Sequence, residues 1–208
     1  MSTRGAIVRF TNKDNKKTVK FAGRYHHWDS YPAGLGATLW NLYHGYFNKN
    51  IEKMLGFLID EHPAGWDNIN DRDFSLAPGF QDRNKRRCIV CGEAMREHYC
   101  PAKDHLFEET QKAVGPECLC HGDLSNSKDL ITNQRAIVMG CEWVYGFDEH
   151  TLVILCLFHK DGTRIGMFGI ANPTADPKAV WKEVARIPLN GSEPDWEYIE
   201  NNTREVLS

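Results

Sequence analysis

The chain has 208 residues and a formal charge of −3, with 41% hydrophobic and 11% aromatic residues. That balance suits one globular domain, or one domain carrying an insertion, with apolar material enough for a core; it excludes collagen, coiled coil and wholesale disorder. No apolar run approaches the roughly 20 residues that cross a bilayer, and the first five residues lack the apolar stretch of a secretory signal. The expectation is a cytoplasmic protein with no membrane partner, too acidic to coat polyanions wholesale.

Residues 4–10 predict a strand, the polar stretch 11–17 a turn, and residues 18–28 a second strand, together a β-hairpin. Proline and two glycines punctuate residues 29–36 as a connecting loop. Leu35, Leu39, Leu42 and Tyr46 then recur at helical spacing. Ile51, Met54, Leu55, Leu58 and Ile59 do so again after a break at Asn48 to Asn50, so two amphipathic helices are expected on the sheet. From His62 to about Asn133 the periodicity fades. Runs 135–147 and 151–159, rich in β-branched and aromatic residues, predict two strands; a third at 163–170, after the Asp161-Gly162 turn, completes an antiparallel meander. Asp176 and Pro177 fit the start of a helix with Val180, Val184 and Ile187 on one face. Ser192 fits the start of a last helix, with Asp195 in the place of a capping-box acid.

Of seven cysteines, Cys88, Cys91, Cys100, Cys118 and Cys120 fall in the aperiodic stretch, and Cys141 and Cys156 inside apolar runs, where they fit a core. In a reducing compartment the five are thiols or metal ligands rather than disulfides. Cys88-Ile-Val-Cys91-Gly92 has the form of a zinc knuckle, two thiolates bracketing a tight turn; Cys118 and His121 supply a second pair at the same spacing. The expected ligand set is Cys88, Cys91, Cys118 and His121 around Zn²⁺. Cys120, or the more compact combination of Cys88 and Cys91 with Cys100 and His105, is an alternative. Four protein ligands close a site, so the zinc is read as structural: its binding free energy replaces a missing core. Arg83, Lys85, Arg86 and Arg87, just before the knuckle, could meet phosphates, although Glu93, Glu97, Glu108 and Glu109 oppose that field.

The order Cys88-x-x-Cys91-Gly92, Lys103-Asp104-His105-Leu106, Cys120-His121 resembles the elements of HNH endonucleases. That resemblance implies His105 as general base and Asp104 as metal ligand or orienting group, beside a structural zinc. The chain differs in its second cysteine pair, Cys118-x-Cys120, and lacks the usual Gly-Gly and Asn-Leu segment.

The densest run of chemically capable side chains outside the cysteines is Tyr25-His26-His27-Trp28-Asp29-Ser30-Tyr31-Pro32-Ala33-Gly34-Leu35-Gly36. With the opening Met1-Ser2-Thr3-Arg4, it is similar to a group of small proteins frequent in bacteriophage and related bacterial genomes. Those carry a His-Trp-Asp-Gly-Tyr-Pro motif before a helix; here Ser30 stands where glycine is usual. The resemblance implies a phage or bacterial setting and no particular activity. Alternation along a strand sends His26 and His27 to opposite faces, and puts His27 with Asp29 if the strand continues. A His/Asp pair suits acid/base work or metal binding, with Tyr31, Arg4 and Arg24 placed to orient an anionic ligand. Equally, Asp29 could cap the turn, with Trp28 and Tyr31 in the core. No nucleophile frame, phosphate-cradling loop or dinucleotide fingerprint is present.

The expectation is therefore an α+β protein: an antiparallel sheet with packed helices, built from 1–77 and 135–208, and a zinc-stabilised insertion at 78–134. Its expected function is binding or regulation through a protein partner, in a host cytoplasm if the chain is viral. An HNH-like nuclease centred on His105 and a hydrolase or ligand site on His27 and Asp29 are the alternatives.

Overall fold

The computed structural model describes residues 3–11, 19–61, 65, 66, 69, 130–148, 150–159 and 179–205, without the side chains of 204 and 205. The architecture is α+β. Among the described residues six strands form one sheet: β1 (Gly5–Phe10), β2 (Phe21–His26), β3 (Ile131–Thr132), β4 (Trp143–Phe147), β5 (Thr151–Phe158) and β6 (Val180–Pro188), in the order β3-β2-β1-β4-β5-β6. Helices α1 (Ala37–His44), α2 (Ile51–Leu55), α3 (Asn133–Val138) and α4 (Trp196–Glu205) pack against it. Among the described residues no helix is long and apolar enough to cross a membrane.

The expected hairpin forms, with Gly5 opposite His26 and Phe10 opposite Phe21. The sheet is mixed rather than antiparallel, because β1 runs parallel to β4, Ile7 beside Tyr145. β1, β4 and β5 are buried almost throughout, which requires cover on both faces. On one face Ile7, Tyr145, Phe147 and Ile154 meet Leu39, Leu42, Met54 and Leu58 of the helical layer. On the other, Ala6, Val8, Val144 and Leu155 share a cluster with Ala136 of α3 and Cys141.

Both N-terminal helices appear where the apolar spacing puts them, each fused to a π-helical turn, Pro32–Gly36 before α1 and Gly56–Asp60 after α2. Asn50 caps α2 through a 2.9 Å bond from Lys53 N–H. Tyr46 lies past the end of α1 and is exposed, not on its buried stripe.

Three local expectations are corrected. The run 135–147 is not one strand: residues 133–138 are helical, and Gly140, at φ 73, turns the chain into β4. Asn133 holds α3 to the edge of β2, accepting from Phe21 N–H at 3.0 Å and donating to Val19 O at 2.6 Å, so tertiary bonds override the β-branched composition. Residues 180–188 are a strand, not a helix. Opposite Ile154 and Leu155 the pairing jumps from Ala185 to Glu183, leaving Val184 as an extra residue. This bulge shifts the alternation by one, so Val180 and Ile187, seven apart, pack on the same core and imitate a helical repeat. Finally, α4 begins at Trp196 with Asp195 as its cap, accepting from Tyr198 N–H at 2.8 Å, rather than at Ser192. The expected strand at 163–170, the Asp161-Gly162 turn and the Asp176-Pro177 start lie outside the described residues.

One glycine in β2 is fixed by proximity. A Cβ on Gly23 would stand 1.9 Å from Ile7 O and 2.6 Å from Val8 Cα, both main-chain atoms of the paired strand. Gly23→Ala is expected to destabilise the protein at or above the upper end of the roughly 1–3 kcal/mol typical of overpacking, read as a lowered urea midpoint. An unchanged midpoint would contradict the β1–β2 register.

Candidate functional site

The motif run occupies the junction from β2 to the π-helical turn. β2 stops at His26, whose ring is 1% exposed and whose Nδ1 lies 2.7 Å from Ser30 Oγ. Ser30 is itself 0% exposed; its hydroxyl also lies 3.3 Å from His26 O, within donating reach. Burial, and secondarily the nearby His27, hold the His26 imidazole down to about 3, so the ring is neutral at neutral pH. Its Nε2 is buried without a hydrogen-bond partner among the described residues. A serine touching a histidine has the form of a nucleophile and its base. Among the described residues no third group orients the ring, and both residues are sealed from solvent, so the pair is read as a structural bond between the strand end and the loop.

Main-chain bonds hold the loop itself. Ser30 N–H donates to Thr3 O at 3.0 Å, Tyr145 OH donates to Ser30 O at 2.8 Å, and Leu35 N–H donates to Asp29 O at 2.9 Å. Asp29 takes a left-handed φ of 53, unusual outside glycine and most tolerated by Asn and Asp. Gly34 follows from that geometry, since a Cβ there would stand 2.3 Å from Asp29 O. At the far end Gly36 lies under Trp196 of α4, where a Cβ would be 2.9 Å from the indole.

What the loop presents is mixed in chemistry. Trp28 is 42% exposed, Asp29 is exposed, and His27 and Tyr31 are half-buried. The His27 ring meets Trp28 edge to face at 4.8 Å, and its Nδ1 lies 2.9 Å from Tyr25 OH. Burial first, then the carboxylates of Asp29 and Glu200, push the Tyr31 phenol above its usual range. The negative charges of Asp29 and of Glu200 on α4 thus both act on Tyr31.

The expected sharing of one face by His27 and Asp29 does not carry over, because β2 has ended and the left-handed residue breaks the alternation. Trp28 is at the surface rather than in the core. Arg4 donates to Met139 O at 3.4 Å, on the turn between α3 and β4, rather than to Asp29 or Tyr31. Arg24 is buried and donates to Ile59 O at 2.7 Å; desolvation lowers its pKa, opposed by Asp60. Sequence reasoning missed Trp66, which is fully buried and clasps the strand end: its N–H donates to Tyr25 O at 2.8 Å and its carbonyl accepts from His27 N–H at 3.0 Å. A lone tryptophan in an aperiodic stretch was the available signal.

Cys141 and Cys156 are buried free thiols, as expected. Cys141 donates to Gly5 O at 3.3 Å, and burial pushes its thiol far up, away from thiolate chemistry. Cys88, Cys91, Cys100, Cys118, Cys120 and His121, with Asp104, His105 and the Arg83, Lys85, Arg86 and Arg87 run, lie outside the described residues. Among the described residues no group of three or more His, Cys, Asp or Glu side chains is placed to hold a metal ion. Comparison with protein-family models, with curated proteins and with solved structures gave no match to this chain.

Proposed function

We propose that the chain is a binding or regulatory accessory protein of the phage and bacterial type that its N-terminal motif resembles. It presents residues 27–31 to a protein partner in the cytoplasm and carries a structural zinc in its 78–134 segment. One observation carries the first part: a loop anchored through Ser30 and Asp29 main-chain atoms holds a strained, left-handed acid beside an exposed tryptophan. Strain of this kind persists where surrounding structure over-determines it, and an exposed aromatic on a rigid loop suits a contact surface. The sealed Ser30–His26 pair argues against hydrolysis at the motif. For the zinc, the support is the spacing of Cys88, Cys91, Cys118 and His121.

Two substitutions test the loop. Glycine accepts a φ of 53 without strain, so Asp29→Gly deletes the carboxylate while keeping the backbone, with stability changing by no more than about 1 kcal/mol. A partner identified by crosslinking in host cells should bind Trp28→Ala and Asp29→Gly at least about tenfold more weakly than wild type, a loss of roughly 1–2 kcal/mol. Unaltered affinity in both variants sinks the loop as the contact surface. Elemental analysis should find one zinc per chain, lost in Cys88→Ser and Cys118→Ser and retained in Cys100→Ser. Metal-free protein with Cys88, Cys91, Cys100, Cys118 and Cys120 all open to alkylation overturns the zinc. Divalent-metal-dependent plasmid cleavage, abolished by His105→Ala and kept in His27→Ala, would replace the binding reading with the nuclease.

A further inference from the structure

α1 ends at His44, and both nitrogens of this half-buried imidazole face main-chain oxygens. Nδ1 lies 3.0 Å from Trp40 O, one turn back in the helix, and Nε2 lies 3.0 Å from Leu189 O, in the turn after β6. A carbonyl oxygen only accepts, and a neutral imidazole has one N–H and one lone pair. In either neutral tautomer, one of the two contacts therefore sets a nitrogen lone pair against an oxygen. The imidazolium, a donor at both nitrogens, satisfies both. Two more features complete the setting of the ring. His44 is the last residue of the helix, where the backbone dipoles leave partial negative charge, and its ring lies against that of Trp40 with centroids 4.1 Å apart.

The bond to Leu189 joins elements far apart in the chain. Leu189 N–H donates to His150 O at 2.8 Å, and Gly191 N–H closes the turn on Pro188 O at 3.1 Å. The chain then runs into α4, whose Trp196 meets Trp40 edge to face at 6.3 Å and covers Gly36 at the end of the motif's π-helical turn. His44 thus ties α1 to the segment that lays α4 over the motif loop.

We propose that His44 is a proton-operated latch. Protonated, it bonds Trp40 O and Leu189 O together and fastens residues 189–195 to α1; deprotonated, it keeps one bond and releases the other. Tyr43 of α1 meets the ring edge to face at 4.9 Å, Lys49 gives its main-chain N–H to Tyr43 O at 2.7 Å, and Glu193 is engaged by the Trp196 indole at 2.9 Å. His150, exposed on the turn between β4 and β5, is linked to the same segment through its main-chain carbonyl, which accepts from Leu189 N–H. The latch loosens as pH rises, opposite in sign to the acid response of the buried His26.

Nitrogen-15 spectra and amide exchange of the full chain at pH 6 and pH 8 test this. Both His44 nitrogens should be protonated at pH 6. Protection of the Leu189 and Gly191 amides, corrected for intrinsic exchange, should fall about tenfold at pH 8, the loss of one charge-assisted bond. The pH dependence should vanish in His44→Gln and remain in His150→Gln. A single neutral His44 tautomer at pH 6, or a pH response that survives His44→Gln, overturns the latch. The wild-type nitrogen spectrum decides alone if His44→Gln does not fold.

Discussion

Lowering the pH from 7 to 4 is expected to remove about 3 kcal/mol of folding stability through His26 alone. The folded ring is held neutral down to about 3 by complete burial, against 6.5 in its ordinary state. Between those two values the unfolded chain binds a proton that the folded chain refuses, so stability is intact above pH 6.5 and falls as pH drops toward 3. Native carboxylates titrate mainly below pH 5, so between 6.5 and 5 the difference between wild type and a variant without the His26 proton site isolates this histidine, at a slope that climbs toward about 1.4 kcal/mol per pH unit. Urea midpoints of wild type and His26→Asn, compared at pH 7, 6, 5 and 4, supply the measurement. Asn retains a polar atom near the Nδ1 position for Ser30 but takes up no proton, so wild type should lose stability relative to this variant, by roughly 2 kcal/mol between pH 7 and 5. Parallel decline of the two proteins across that interval would show that the ring is not sealed.

Trp66→Ala should unfold the protein more readily than any surface change, by roughly 3–5 kcal/mol for the cavity. The indole is fully buried in the core beneath the helical layer, and its Nε1 donates to Leu58 O at 2.8 Å. Truncation strips that carbonyl of its donor as well, adding to the cavity's effect. Trp66→Phe fills most of the space but lacks the N–H and should cost only about 1–2 kcal/mol, so the pair separates volume from hydrogen bonding. Because Trp66 main chain brackets Tyr25 and His27, amide exchange at His27 should quicken in Trp66→Ala more than at Val144 in the sheet centre. Loss of less than 1 kcal/mol in Trp66→Ala would contradict a core position for this residue.

Legibility followed the range of the interactions. The β1–β2 hairpin, α1, α2 and the β4–β5 pair were readable because each rests on a local apolar period or a short turn. β6 was misread because the bulge at Val184 turned a two-residue period into one resembling a helix. α3 was misread because Asn133, by bonding Val19 and Phe21, outweighs the strand preference of Ile137 and Val138. At the motif, the residue types were visible, but Glu200 beside Tyr31 was not, since 169 positions separate them and only packing brings α4 over Gly36.

Amino-acid order alone established that the His-Trp-Asp motif joins a strand to a helix, that His26 and His27 diverge, and that Cys141 and Cys156 belong inside. Each follows from backbone geometry or solvation within a few residues. Folding in three dimensions decided which of the two histidines is sealed, that Asp29 takes left-handed backbone, and that β1 lies parallel to β4. Those outcomes depend on what covers each face of the sheet and on pairings across more than a hundred residues, where strand alternation specifies two faces but not their neighbours.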